Sequence, residues 1–239
     1  NYDTIGNITG NFIRNHTFNY GWAIDNEGTI GDIIGDFIGN AAYNNDGGAI
    51  YNSGTIVNIT GNFISNTASS SGGAIYNSFD STIGNITGDF IGNTAYNYGG
   101  AIYNYGDTIG NITGNFIRNH TSGNGGAIYN GYDSPIGNIA GDFIENSASY
   151  DEHNNGGAIY NRGTIGNITG NFISNRAKAL SSYYGMGGAI YNEGTIYDKG
   201  TIGDITGNFI GNYAEAENGT ARGGAIANNL VIGTGEIPT

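Results

Sequence analysis

The chain has 239 residues, with 45 Gly, no Cys, and seven Lys plus Arg against 20 Asp plus Glu, for a formal net charge of −13. That charge repels phosphates, which excludes a nucleic-acid partner and an anionic membrane surface, and the lack of Cys excludes a disulfide framework and thiol chemistry. No run of 18 apolar residues marks a membrane-spanning segment, and there is no signal peptide or initiator Met.

In chain order, Asn1–Ile5 aligns with the middle of a unit that then repeats. The unit is typified by TIGNITGNFIRN at 108–119, and its copies begin at Thr4, Thr29, Thr55, Thr82, Thr108, Pro135, Thr164 and Thr201. A second tag, GGAIYN or a near relative, follows each copy at Gly21, Gly47, Gly72, Gly99, Gly125, Gly156, Gly187 and Gly223. A fixed period of this size is the mark of a solenoid, in which no repeat buries its apolar face alone. The apolar clusters are short, β-branched or aromatic, and bounded by Gly or Asn, as strands are. Leu occurs only at 180 and 230, so helical repeats are excluded. The pattern predicts one all-β domain over 1–239, a parallel β-helix (β-solenoid) of about eight coils with three strands in each ~26-residue coil, stacked at roughly 4.8 Å.

Within the first copy, Ile5 and Ile8 both face inward if the chain bends at Gly6–Asn7, and Phe12 and Ile24 complete the core columns. Position 14 reads Arg, Gly, Ser, Gly, Arg, Glu, Ser, Gly through the copies, as a solvent position would. The next column is Asn in every copy, from Asn15 to Asn212, and predicts an asparagine ladder bonded along the axis. Trp22 stands where other tags have their second Gly and marks either a contact with whatever precedes this coil or a looser corner. Later copies carry extra residues at 149–155, 178–186 and 215–222, expected to project as loops from one corner, and a further inserted loop at 194–199 that duplicates the start of the next coil. After Ala227 the chain departs from the repeat. Both ends read as uncapped, and Asn1, Ile5, Ile8, Phe12, Trp22, Val231, Ile232 and Ile237 are the residues of a candidate end-to-end interface.

Chemical constellations are few. Asp36, Asp89 and Asp142 share a column with Asn between them, about 9.6 Å apart. That is a separation an inverting polysaccharide hydrolase could use, but the alternation also spares the stack adjacent like charges. Arg14 and Arg118, like His16 and His120, are about 19 Å apart, too far to share a site. His153 beside Asp151 and Glu152 reads as a metal site or as a solvated loop. No catalytic residue, cofactor site or metal site is assigned. Tyr51, Tyr76, Tyr103, Tyr129, Tyr160 and Tyr191 form one outward column, open to three readings: a sugar platform, a contact between solenoids, or mutual stacking. Asn-Ile-Thr, at Asn7, Asn58, Asn85, Asn111 and Asn167, matches the N-glycosylation acceptor but reads equally as a corner Asn followed by an outward Thr. The Thr columns are also similar to those of ice-binding solenoids.

The pairing of FxxN with GGAI, as in Phe63–Asn66 with Gly72–Ile75, resembles the repeats of the polymorphic outer-membrane protein family of bacterial autotransporters. The resemblance implies a right-handed parallel β-helix, a secreted or cell-surface location, and adhesive work by the passenger region. Three functions follow as expectations: an extracellular structural subunit stacking with itself head to tail into a filament, an adhesin binding host or surface glycans, and a polysaccharide-degrading enzyme. The first is the leading expectation and the third the weakest, so the chain is read as not an enzyme.

Overall fold

The computed structural model describes residues 1–17, 22–105, 108–149, 154–180, 184–195 and 200–231, and among these there is no helix. Every strand pairs in parallel with its counterpart one repeat away, building a β-solenoid. The register places like on like, with Thr55 opposite Thr82, Ile56 opposite Ile83 and Asn58 opposite Asn85. Phe63 likewise lies opposite Phe90, and Tyr76 opposite Tyr103. Identical residues stack because the period of the sequence is the circumference of the coil.

Each copy contributes four strand sites, one more than the apolar pattern predicts. The first runs through Thr-Ile-Gly-Asn-Ile-Thr. It is a single strand at Thr29–Ile34, Thr55–Thr60 and Thr82–Thr87, and two short ones at Thr4–Ile5 and Ile8–Thr9. In the inner copies the isoleucines on either side of the Gly-Asn pair, as Ile83 and Ile86, are both buried, which puts the bend between them. The second site is Phe-Ile, as at Phe63–Ile64, and the fourth is Ile-Tyr-Asn, as at Ile75–Asn77. The unanticipated third site lies between them, at Ala41–Ala42, Thr67–Ala68, Thr94–Ala95 and their counterparts. It is two residues long in the first five copies, with one small inward side chain, so it lacks the β-branched alternation by which strands are recognised. We call the resulting stacks the threonine, phenylalanine, alanine and tyrosine sheets.

The core is a set of columns. Ile30, Ile33, Phe37, Ala49 and Ile50 in one copy, and their successors through Ile165, Ile168, Phe172, Ala189 and Ile190, are at most 2 % exposed. The phenylalanine rings stack 4.7–4.8 Å apart and nearly parallel from Phe12 to Phe209. Six of them, Phe37 to Phe172, are fully covered. Phe12 and Ile8 are packed against the core but partly exposed, while Ile5 is 42 % exposed. The GGAI tag is a closure device. Gly72 has φ +66°, and a Cβ on Gly73 would lie 2.1 Å from the carbonyl oxygen of Gly100, so neighbouring coils touch backbone to backbone there.

Two buried asparagine ladders line the corners. Asn93 accepts from the backbone N–H and the amide of Asn66 (both 3.0 Å) and donates to Phe63 O (2.9 Å) and Asn119 Oδ1 (3.0 Å). The same pattern runs from Asn15 to Asn212. The second ladder, in the last residue of the tyrosine strand, links Asn26, Asn52, Asn77, Asn104, Asn130, Asn161 and Asn192 through amide bonds of 2.8–3.0 Å.

The extra residues of the later copies do not simply leave the stack. Those at 149–155, 178–186 and 215–222 fall between the alanine sheet and the Gly-Gly tag, and their described parts pair with one another. Asn154–Asn155, Tyr184–Met186 and Thr220–Arg222 form a further three-stranded parallel sheet. Insertions in consecutive copies supply one another with partners, so their backbone groups are satisfied without disturbing the main ladders. Gly194 and Thr195 continue the strand Ile190–Thr195, and residues 196–199 lie outside the described residues.

Candidate functional site

The column of tyrosines is an interlocked stack. Ring centroids of Tyr51, Tyr76, Tyr103, Tyr129 and Tyr160 follow one another at 4.8–5.2 Å with interplanar angles of 5–18°. Tyr191 continues it at 5.4 Å and 31°. The faces of the inner rings are covered by their neighbours, which leaves only edges for a sugar and favours mutual stacking over a sugar platform. Asp25 holds the tyrosine position of the first copy, opposite Tyr51, and brings no ring. Trp22 supplies one instead. Its indole stacks on Tyr51 at 4.6 Å and donates through Nε1 to the carbonyl of Asp46. Trp22 therefore stands on the outer wall with the tyrosine stack, while Ile8 and Phe12 pack against the core and the Asn1 amine donates to the carbonyl of Asp25 (2.8 Å). Val231 ends the strand that pairs with Ile190–Thr195, and Ile232 and Ile237 lie outside the described residues.

Towards its C-terminal end the tyrosine stack encloses charge. The Tyr160 hydroxyl donates to Glu193, Arg162 lies 3.6 Å from the same carboxylate, and its guanidinium rests 3.6 Å over the Tyr132 ring. Burial, and then the Glu193 carboxylate, push the Tyr160 phenol well above its ordinary range.

The aspartate column is committed to hydrogen bonding. Asp36, Asp89 and Asp142 each accept, through Oδ1, the backbone N–H and the side-chain amide of the Asn one coil on, at 2.7–3.2 Å. Asp alternates with Asn because an amide can donate to a carboxylate where a second carboxylate could only repel it. The asparagines of Asn-Ile-Thr behave similarly, Asn85 Oδ1 accepting from Asn111 N at 3.0 Å, with exposed Thr residues behind them. Arg118 is paired with Glu145 at 2.7 Å. Among the described residues no group of three His, Cys, Asp or Glu is placed to hold a metal, and Asp151, Glu152 and His153 fall outside them.

The outer wall of the alanine sheet has a groove of about 450 Å³, lined by Tyr96, His120, Ser122, Ser149, Lys178 and Leu180. It exists because two consecutive copies place Ser122 and Ser149 where the copies before and after place Tyr96 and Lys178. His120 Nδ1 lies 2.9 Å from Ser147 Oγ, and burial pulls its pKa below the ordinary 6.5, with the backbone of Ser147 opposing in part. Lys178 is held by Glu215 (3.5 Å) and Glu217 (3.1 Å). Sequence reasoning missed this site because it did not recognise the alanine strand. The column Tyr43, Ser69, Tyr96, Ser122, Ser149, Lys178 could be read as outward only once Ala42, Ala68, Ala95 and Ala148 were seen to point in.

A second hollow, about 390 Å³, is lined by Tyr2, Trp22, Asp25, Glu27, Asn45, Asp46 and Tyr51. Burial raises the pKa of Asp25 there, with the N-terminal amine opposing and Glu27 adding to the rise.

What repeats through this wall is a Phe strand, a buried ladder Asn and a Gly-Gly tag ahead of a tyrosine strand. The repeat model of the Chlamydia polymorphic membrane protein (Chlamydia_PMP) matches this unit at residues 60–78, 88–105 and 140–162. At these three places the chain matches the polymorphic membrane protein repeat. Each match spans a phenylalanine strand and the tag behind it, so the polymorphic membrane protein repeat is, in physical terms, the alternation of a core ring with a backbone-contact corner. No curated protein matches the chain significantly, and neither does any solved structure. Polymorphic membrane protein repeats on a β-solenoid point to a surface-exposed repeat protein, of the outer membrane or cell surface.

Proposed function

We propose that the chain is a non-catalytic adhesive segment of a surface-displayed solenoid, recognising its ligand on the outer wall. The observation that carries this reading is the groove of the alanine sheet, where aromatic, hydroxyl and imidazole groups meet on a rigid stack. Engagement of Asp36, Asp89 and Asp142 as ladder acceptors supports a non-catalytic role, since a general acid needs a carboxyl free to give up its proton. The test is saturable retention of the purified, labelled chain on animal cells and on glycan-coated surfaces. No saturable retention would sink the adhesive role, and turnover of a polysaccharide would overturn the non-catalytic one.

Head-to-tail stacking of copies into an extracellular filament is a second reading. It is supported by the like-on-like register, in which the rings and ladder amides of each coil pair with those of the next. For a polypeptide bounded by these coils, such a contact would extend the ring stack and the ladders. Sedimentation at high concentration checks it, because a heterologous contact propagates rather than closing, and a monodisperse monomer would rule it out.

A further inference from the structure

We infer that the groove between Tyr96 and Lys178 is a binding site for a neutral oligosaccharide, with a pyranose ring stacked on Tyr96 and its hydroxyls hydrogen-bonded to Ser122, Ser149 and His120. The inference rests on the adhesive reading above and names its ligand class. Tyr96 differs from the tyrosines of the stack. It is 61 % exposed, and among the described residues no aromatic ring lies against it, so its faces are open to the C–H face of a sugar. The groove floor offers two hydroxyls and an imidazole held neutral near pH 7 by burial, groups that both donate and accept.

Charge selects against anionic ligands. Among the described residues the one cation lining the groove, Lys178, is already shared by Glu215 and Glu217, and the protein carries a net charge of −13. Backbone pairing selects against an extended peptide, because the strand His120–Thr121 is hydrogen-bonded on both sides, to Thr94–Ala95 and to Ser147–Ala148, and has no edge to lend. From Tyr96 to Lys178 is three coil steps, about 14 Å at ~4.8 Å each, room for about two or three pyranose rings laid along the solenoid axis.

The test uses the purified chain on immobilised neutral hexose and N-acetylhexosamine oligomers, beside sialylated and sulfated oligosaccharides and a peptide library. The expected result is saturable retention on at least one neutral oligomer. Retention should weaken at least about tenfold for Tyr96→Ala and for Ser149→Tyr, which fills the groove, and stay unchanged for Tyr105→Ala, an exposed tyrosine on another wall. Tyr96 is exposed, so its truncation leaves the melting curve in place and any loss reports on the groove. Retention that survives both groove variants, or that occurs only on anionic glycans or peptides, overturns the inference, as does the absence of any glycan retention. Cell-surface adhesion that persists in the groove variants would overturn the groove while leaving the adhesive role standing. Failure of the wild-type chain in both assays would remove both.

Discussion

Asn93 shows how much one side chain of this fold carries. Its amide makes four hydrogen bonds to three residues, in a corner closed to solvent. Asn93→Ala strands the Asn66 N–H and amide and the Phe63 carbonyl, and is expected to cost roughly 3 kcal/mol or more by denaturant melting, at 1–3 kcal/mol per buried unsatisfied group. The column before it behaves in the opposite way. Ser65, Arg118, Glu145 and Ser174 sit at φ 54–55°, while Gly39, Gly92 and Gly211 hold the same position in other copies at 62–63°. That column was legible as solvent-facing because its residue types scatter, but its left-handed backbone was not. Ser65→Gly is expected to stabilise by up to about 1 kcal/mol, since the left-handed region is strained for any residue with a Cβ. A lowered midpoint would mean that Ser65 makes a contact worth more than its strain.

The stacks are the elements on which stability turns. A charge inserted into the phenylalanine stack has no partner among the Ile, Ala and Phe around it, so Phe116→Asp is expected to unfold the chain, whereas Phe116→Leu should cost only a few kcal/mol. A soluble Asp variant with an unchanged melting curve would refute the inward assignment. The tyrosine stack makes a prediction about alkali. Burial is the first cause holding the phenols of Tyr76, Tyr103 and Tyr160 above their ordinary value of 10.0. The unfolded chain sheds these protons near pH 10 while the fold retains them. Their stabilising contribution is therefore complete below pH 10 and lost as pH rises through the folded values. Ultraviolet titration should show them ionising together with loss of the β-sheet dichroism. Smooth ionisation near 10 with the fold intact would contradict the stacked, buried arrangement. The tyrosine column was visible in the sequence as a spacing. Whether its rings would lie flat against a ligand or against each other was decided by the ~4.8 Å coil rise, which brings successive rings within stacking distance.

For the whole molecule, the consequence of like-on-like register is that copies are interchangeable units. Deleting residues 82–107 removes one complete copy and joins Ser81 to Thr108, which begins the next. The shortened chain is expected to fold with the same dichroism per residue and a modestly lower melting temperature, because each copy contacts only its neighbours. Deleting a half-copy of 13 residues should cost far more, since Phe would then face Ile-Tyr-Asn across the junction at the cut and the two flanking stacks would lose their shared interface. Equal tolerance of both deletions would contradict the solenoid.

The sequence by itself determined the period, the parallel register, the inward Ile and Phe columns and the Asn15–Asn212 ladder. The physical reason is that in a solenoid the spatial neighbour of a residue is its counterpart one period away, so alignment of the copies is already a contact map. The same alignment carried the family resemblance, because FxxN and GGAI mark corners where only Asn or Gly satisfies or clears the adjacent backbone. Tertiary structure alone decided what depends on how each coil closes. It produced the short alanine strand, the second ladder through Asn52 and Asn77, and the transfer of the first ring of the tyrosine stack from Asp25 to Trp22. It also drew the insertions into a sheet of their own and opened the groove between Tyr96 and Lys178. Those features arise where two walls meet or where side chains of unequal size fall in one column. Sidedness there is set by corner geometry that two-residue strands of Ala, Ser and Thr do not encode locally.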